Sequence, residues 1–131
     1  KDKNFLKESC QKFSDSIALG LDAKNGYLSV SGWKENSNKL TLDYLKEVSN
    51  FGVSRLIFTD INRDGTKQSP NYEETSRVAA ISNCPVIISG GVSSLDDIKK
   101  AKNLKNIEGI IVGKAIYDGD INLEELVKED A

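Results

Sequence analysis

Four short aliphatic runs, Ser16–Leu21, Arg55–Phe58, Pro85–Ile88 and Gly109–Val112, set the tightest limit on what this chain can fold into. None alternates polar with apolar residues, so each reads as a strand covered on both faces, the pattern of parallel sheets. Helical patterns lie between them. Leu42, Leu45 and Val48 mark one; Thr75, Val78, Ala79 and Ser82 a second; Leu95, Ile98, Ala101 and Lys102 a third. Asn71-x-x-Glu74 and Asn122-x-x-Glu125 have the spacing of capping boxes, with Ser94-x-x-Asp97 a weaker version. Residues 1–13 predict a helix before the first run, with Phe5, Leu6, Cys10 and Phe13 along one face. A helix followed by four βα units predicts an α/β fold with a parallel sheet.

The residues after each run carry the functional signal. The first run leads into Asp22, the second into Thr59-Asp60, the third into Ser89-Gly90-Gly91, and the fourth into Gly113-Lys114. Parallel α/β folds bind ligands at the carboxyl ends of their strands. Two strands are therefore expected to deliver carboxylates or hydroxyls to that rim, and two to deliver glycine-rich turns. Asp22 fits a general acid or base there, and equally a residue that caps a loop backbone. Asn25-Gly26 predicts a tight turn into the Tyr27–Val30 run, hence a small hairpin. Asp60-Ile61-Asn62-Arg63-Asp64-Gly65-Thr66 fits either a turn or a catalytic loop. It lacks the spaced ligands and closing glutamate of a calcium-binding EF-hand. Gly90-Gly91 and Gly113-Lys114 fit phosphate-binding turns, because glycine lets backbone N–H groups approach an anion. Plain tight turns fit them too, and neither is a Walker A loop. Trp33, the one tryptophan, lies in a polar loop where stacking on a ligand is as good a role as packing.

Composition narrows the chemistry. There is no histidine, which removes Ser–His and Cys–His catalysis within the chain and most zinc chemistry. Two scattered cysteines make neither a disulfide framework nor a zinc site, as expected of a cytoplasmic protein. Interspersed charges and a net charge of −2 predict no nucleic-acid partner. No apolar run approaches the roughly 20 residues that span a bilayer, so no membrane partner is expected. No linker or low-complexity stretch divides residues 1–131, which read as a single domain or part of one. Lys1 is not an initiator methionine and the chain lacks Met altogether, so it reads as a fragment of a longer protein or as one with a processed start. An open four-stranded parallel sheet has two unpaired edges, and four βα units are half of an eight-unit barrel.

Together, Leu19-Gly20-Leu21-Asp22-Ala23-Lys24-Asn25-Gly26, Gly32-Trp33, Thr59 through Thr66, Ser89-Gly90-Gly91-Val92-Ser93 and Gly109 through Tyr117 form one set. In order and spacing they resemble the second half of the HisA family, the phosphoribosylformimino aminoimidazole carboxamide ribotide isomerases of histidine biosynthesis. The resemblance covers almost the whole chain. A sister family, the cyclase subunit of imidazole glycerol phosphate synthase, shares the Asp-Gly-Thr and Ser-Gly-Gly elements. It usually lacks the Gly-Trp and the Val-Gly-Lys/Arg-Ala ending. The resemblance implies the C-terminal half of a (βα)8 TIM barrel and an Amadori rearrangement of an aminoaldose to an aminoketose, without cofactor or metal. It implies that Asp22 is the general acid on the fifth strand, and that Thr59 and Asp64 support the reacting centre. By the same match, Gly90, Gly91, Gly113 and Lys114 hold one of the substrate's two phosphates, and Trp33 stacks on the substrate. The partners implied are a bisphosphorylated ribotide and the missing N-terminal half-barrel, which in the family carries the base and the other phosphate site. Two alternatives stay open: the cyclase, and a non-catalytic half-barrel module that binds phosphate esters.

Overall fold

The computed structural model describes residues 3–30, 35–63 and 69–130, with backbone only at 30, 35–38, 126, 129 and 130. After helix α1 (Lys3–Lys12) come β1 (Ala18–Lys24), β2 (Tyr27–Val30), β3 (Glu35–Leu40) and α2 (Thr41–Val48). Then follow β4 (Arg55–Asp60), α3 (Tyr72–Ile81), β5 (Val86–Ser89), α4 (Leu95–Lys102), β6 (Ile107–Ile110), α5 (Lys114–Tyr117) and α6 (Leu123–Asp130). The described strands form one sheet in the order β3-β2-β1-β4-β5-β6. The pairs β1–β4, β4–β5 and β5–β6 are parallel, while β2 and β3 add antiparallel to the free side of β1. This is an α/β architecture with a mostly parallel sheet, consistent with part of a (βα)8 barrel.

Alternation along the strands sends one set of side chains under the helices. Leu21 and Ala23 of β1, Leu56 and Phe58 of β4, and Val86 of β5 pack with Tyr44, Leu45 and Val48 of α2 and with Val78 and Ala79 of α3. Leu56, Phe58 and Val86 are essentially inaccessible. A second cluster joins Val92, Ile98, Ala115 and Ile121 beneath the later loops. The expectation that the strands are covered on both faces is not met. Ala18 and Gly20 are exposed, and Asp22, Ile57, Ile87 and Ser89 are only half-buried. The face opposite α2 and α3 stays open because, in a closed barrel, further strands would fill it.

Local signals set most boundaries. Asn71 Oδ1 accepts from Glu74 N–H (3.1 Å), Ser94 Oγ from Asp97 N–H (3.3 Å), and Asn122 Oδ1 from Glu124 N–H (2.8 Å), so all three expected caps form. All four parallel strands are offset from the aliphatic runs; β4 extends to Asp60, β5 is shifted by one residue to Val86–Ser89, and the other two have clear local causes. β1 runs on to Lys24, because Asn25 (φ 55°) and Gly26 (φ 84°) turn it straight into β2. β6 starts two residues early, after Asn106 (φ 62°), whose Nδ2 donates to the Ala79 and Cys84 carbonyls. In α1 the apolar face is narrower than expected. Cys10 is buried and Leu6 packs on the core, whereas Phe5 and Phe13 are 69% and 54% exposed. Residues 6 and 10 are one turn apart on a face that residue 5 does not share, and Phe13 would continue that face but lies beyond the last helical residue, Lys12.

Candidate active site at the carboxyl ends of the parallel strands

Burial of Leu21 and Ala23 against the helices forces Asp22 onto the open face. Its Cα partner in β4 is Thr59, and the partner of Thr59 in β5 is Ser89. Parallel strands in register carry matched side chains on the same face, so Asp22, Thr59 and Ser89 form one row across the open side. Asp22 thus sits inside a paired strand, not in the loop beyond it as its neighbours in the sequence suggested. A site on paired strands is held more rigidly than one on a loop.

Asp60, next to Thr59, turns the other way. Its Oδ1 accepts from Asn62 N–H (2.9 Å) and its Oδ2 from Asn71 Nδ2 (2.7 Å), which ties the end of β4 to the cap of α3. Asn62 Nδ2 also donates to Asn25 Oδ1 (3.1 Å), linking this loop to the β1–β2 turn. Of the pair Thr59-Asp60, only the hydroxyl faces the site; the carboxylate is structural. Arg63 Nη1 donates to the carbonyls of Ser69 (2.7 Å) and Pro70 (3.3 Å), gathering the base of the loop that holds Asp64. Asp64 and Trp33 themselves lie outside the described residues.

The Ser89-Gly90-Gly91 turn follows directly from the row. Gly90 and Gly91 have φ of 96° and 86°, in the left-handed region where a Cβ is costly. A Cβ at Gly91 would also stand 2.6 Å from the Ser69 carbonyl oxygen and 3.0 Å from Arg63 Cβ. Gly91→Ala is therefore expected to cost about 2–5 kcal/mol, the sum of left-handed strain and overpacking. The urea midpoint of the full-length protein checks this, and an unshifted midpoint would contradict it. Gly113 is the residue just before α5, and Lys114, the first residue of that helix, pairs at 3.2 Å with Asp118, just past its end. Val92 and Ala115, one residue beyond each turn, share a buried cluster, so the two glycine turns are neighbours.

One network here was not foreseen. Asp97, buried at 4% exposure, accepts from Ser93 N–H and Ser93 Oγ (both 2.8 Å) and from Tyr72 Oη (2.6 Å). Burial alone would push its carboxyl up. Hydrogen bonds from Tyr72, Ser93 and the Ser69 side chain outweigh that and hold it below the ordinary range. Burial and the adjoining Asp97 push the Tyr72 phenol well up, so it stays a donor. The only trace in the sequence was the weak capping box, and even there the carboxylate reaches Ser93 and not the cap residue. Among the described residues no three His, Cys, Asp or Glu side chains converge as a metal site would require. A cavity of about 410 Å3 lies against β6, α4 and Val127; Val112, next to Gly113, lines it, but no candidate site residue does.

The sequence profile of the family described as "Histidine biosynthesis protein" matches residues 1–122. The chain belongs to this family. Within the histidine biosynthesis proteins it is 83% identical over 129 residues to a Pelagibacter ubique protein, with 98% of this chain and 54% of that protein covered. That relative is named 1-(5-phosphoribosyl)-5-((5-phosphoribosylamino)methylideneamino) imidazole-4-carboxamide isomerase. Relatives of the same name are 43% identical in Clostridium novyi (96% of this chain, 52% of theirs) and 46% identical in Citrifermentans bemidjiense (94% and 51%). The chain spans about half the length of these curated relatives. No described helix is long and apolar enough to cross a membrane.

Proposed function

We propose that this chain is the C-terminal half of a ribotide isomerase barrel, one unit over residues 1–131, working in the cytoplasm on a bisphosphorylated aminoaldose. The observation that carries the reading is the row of Asp22, Thr59 and Ser89 on the open face, with the Gly90-Gly91 turn leaving its end. The relatives' shared name favours the isomerase over the cyclase.

In the proposed Amadori rearrangement, Asp22 as a carboxylic acid gives its proton to the ribose ring oxygen. The C1–O bond breaks, and the electron pair on the exocyclic nitrogen forms a C1=N double bond. A carboxylate from the other half-barrel then takes the C2 proton, and the resulting enolamine becomes the aminoketose by moving a proton to C1. Thr59, and Asp64 in the adjoining loop, would hold the reacting centre. Gly90, Gly91, Gly113 and Lys114 would take one phosphate, with Lys114 exchanging its Asp118 partner for the ligand. Trp33 would stack on the substrate. No cofactor, metal, nucleic acid or membrane enters the scheme.

The test is an assay of the full-length protein with the purified ribotide, following aminoketose formation without ammonia or a glutaminase. Turnover is expected. A protein that leaves the aminoaldose untouched, yet cyclises the aminoketose when ammonia is supplied, would overturn the reading.

A further inference from the structure

We infer that Asp97 is a positioning residue, which locks the Gly90–Ser93 turn to the loop after β4 and so sets the shape of the phosphate cradle; this rests on the isomerase reading. Its carboxylate is buried and takes donors from two stretches of chain, its own helix's lead-in and the run from the β4–α3 loop into α3. Ser93 belongs to the β5–α4 turn, Tyr72 opens α3, and Ser69 ends the β4–α3 loop. Capping alone does not call for this. Ser94 already caps the Asp97 N–H, and an acid in the first turn of a helix does its work on the surface. A buried carboxylate is tolerated only when its oxygens are satisfied, and here the satisfying groups are the loops themselves.

Ser69 shows how the tie is transmitted. It is a non-glycine residue at φ 73°, a conformation that persists only where its surroundings dictate it. Its side chain goes to Asp97, its carbonyl accepts from Arg63, and that same carbonyl abuts Gly91 with no room for a methyl group. Releasing Ser69 from Asp97 frees the surface on which Gly91 rests. The charge is informative as well. Asp97 already holds the Ser93 N–H, so an incoming phosphate must be met by Gly90 to Val92 and by the Gly113-Lys114 turn. Asparagine is a poorer fit: its oxygen could still accept from Ser93, but its NH2 group would face the Tyr72 and Ser69 hydroxyls, which would have to turn from donors into acceptors, and the charge that strengthens all these bonds would be gone.

In the full-length protein, Asp97→Asn is expected to raise KM for the ribotide and Kd for inorganic phosphate about tenfold, with kcat within about threefold. Tyr72→Phe removes one donor, keeps the carboxylate, and should weaken phosphate about two- to threefold. If Asp97→Asn does not fold, Tyr72→Phe decides alone. A lower melting temperature with unchanged KM and phosphate Kd would overturn the positioning role, as would a loss confined to kcat. Phosphate calorimetry separates this from the isomerase reading. A wild-type protein without turnover would sink that reading, while weaker phosphate binding in the variants would still uphold the role of Asp97.

Discussion

Asp22→Asn in the full-length protein should lower kcat by about 10²–10⁴, with KM changed less than about threefold. The substitution keeps size and shape and removes only the transferable proton. The strand that carries it is fixed by its neighbours. Leu21 and Ala23 are buried on the helix side, and the ladder to Thr59 is made by backbone groups that any residue supplies. The proposed phosphate cradle sits two strands away, at Gly90 and Gly91 beyond β5. Loss should therefore fall on the chemical step. Steady-state kinetics with a parallel melting curve makes the check: near-normal kcat in a folded variant would remove Asp22 from the mechanism.

What the sequence made legible was mostly local. Aliphatic runs located the four parallel strands, and the Asn71, Ser94 and Asn122 caps located helix starts, because each signal acts within a few residues. The hairpin at Asn25-Gly26 was equally readable, but its consequence was not. A two-residue turn continues the strand, and so draws Asp22 into the ladder. β3 was missed because Glu35 to Lys39 carries no apolar alternation; the strand exists through its pairing with β2. Reading the runs as covered on both faces was right about their composition and wrong about this chain. Ile57 and Ile87 are only half-covered, and Ile111 is 47% exposed.

The site divides along the same line. Asp22 and Thr59 could be found from their places after aliphatic runs, and the register puts them side by side. Gly91 was readable as a glycine that something requires. Its closest constraint proves to be the Ser69 carbonyl, so a Gly91→Asp change would disturb packing as well as place charge against phosphate. Asp97, Tyr72 and Ser69 could not be assembled from sequence, since only folding brings the lead-in to α3 against a carboxylate on α4.

The 131-residue chain by itself should show isomerase turnover at least about 10³-fold below the full-length protein, in effect none under ordinary assay conditions. Three losses compound. A lone acid leaves the C2 proton without its base, and removing one of two proton-transfer groups typically forfeits 10²–10⁴ in rate. On the proposed reading, one phosphate cradle would grip one end of a substrate that carries two phosphates, so the sugar would not be held over Asp22. Asp22 and Ser89 also lie half-buried on an open face, on either side of the buried Thr59, where water screens the charge interactions that an enclosed barrel would strengthen. Adding the remaining half as a separate polypeptide should restore activity in proportion to the complex formed, because β6 and the open face present unpaired backbone and half-covered Ile57 and Ile87 to it. Turnover by the purified chain at rates like those of the full-length enzyme would show that one acid and one cradle suffice.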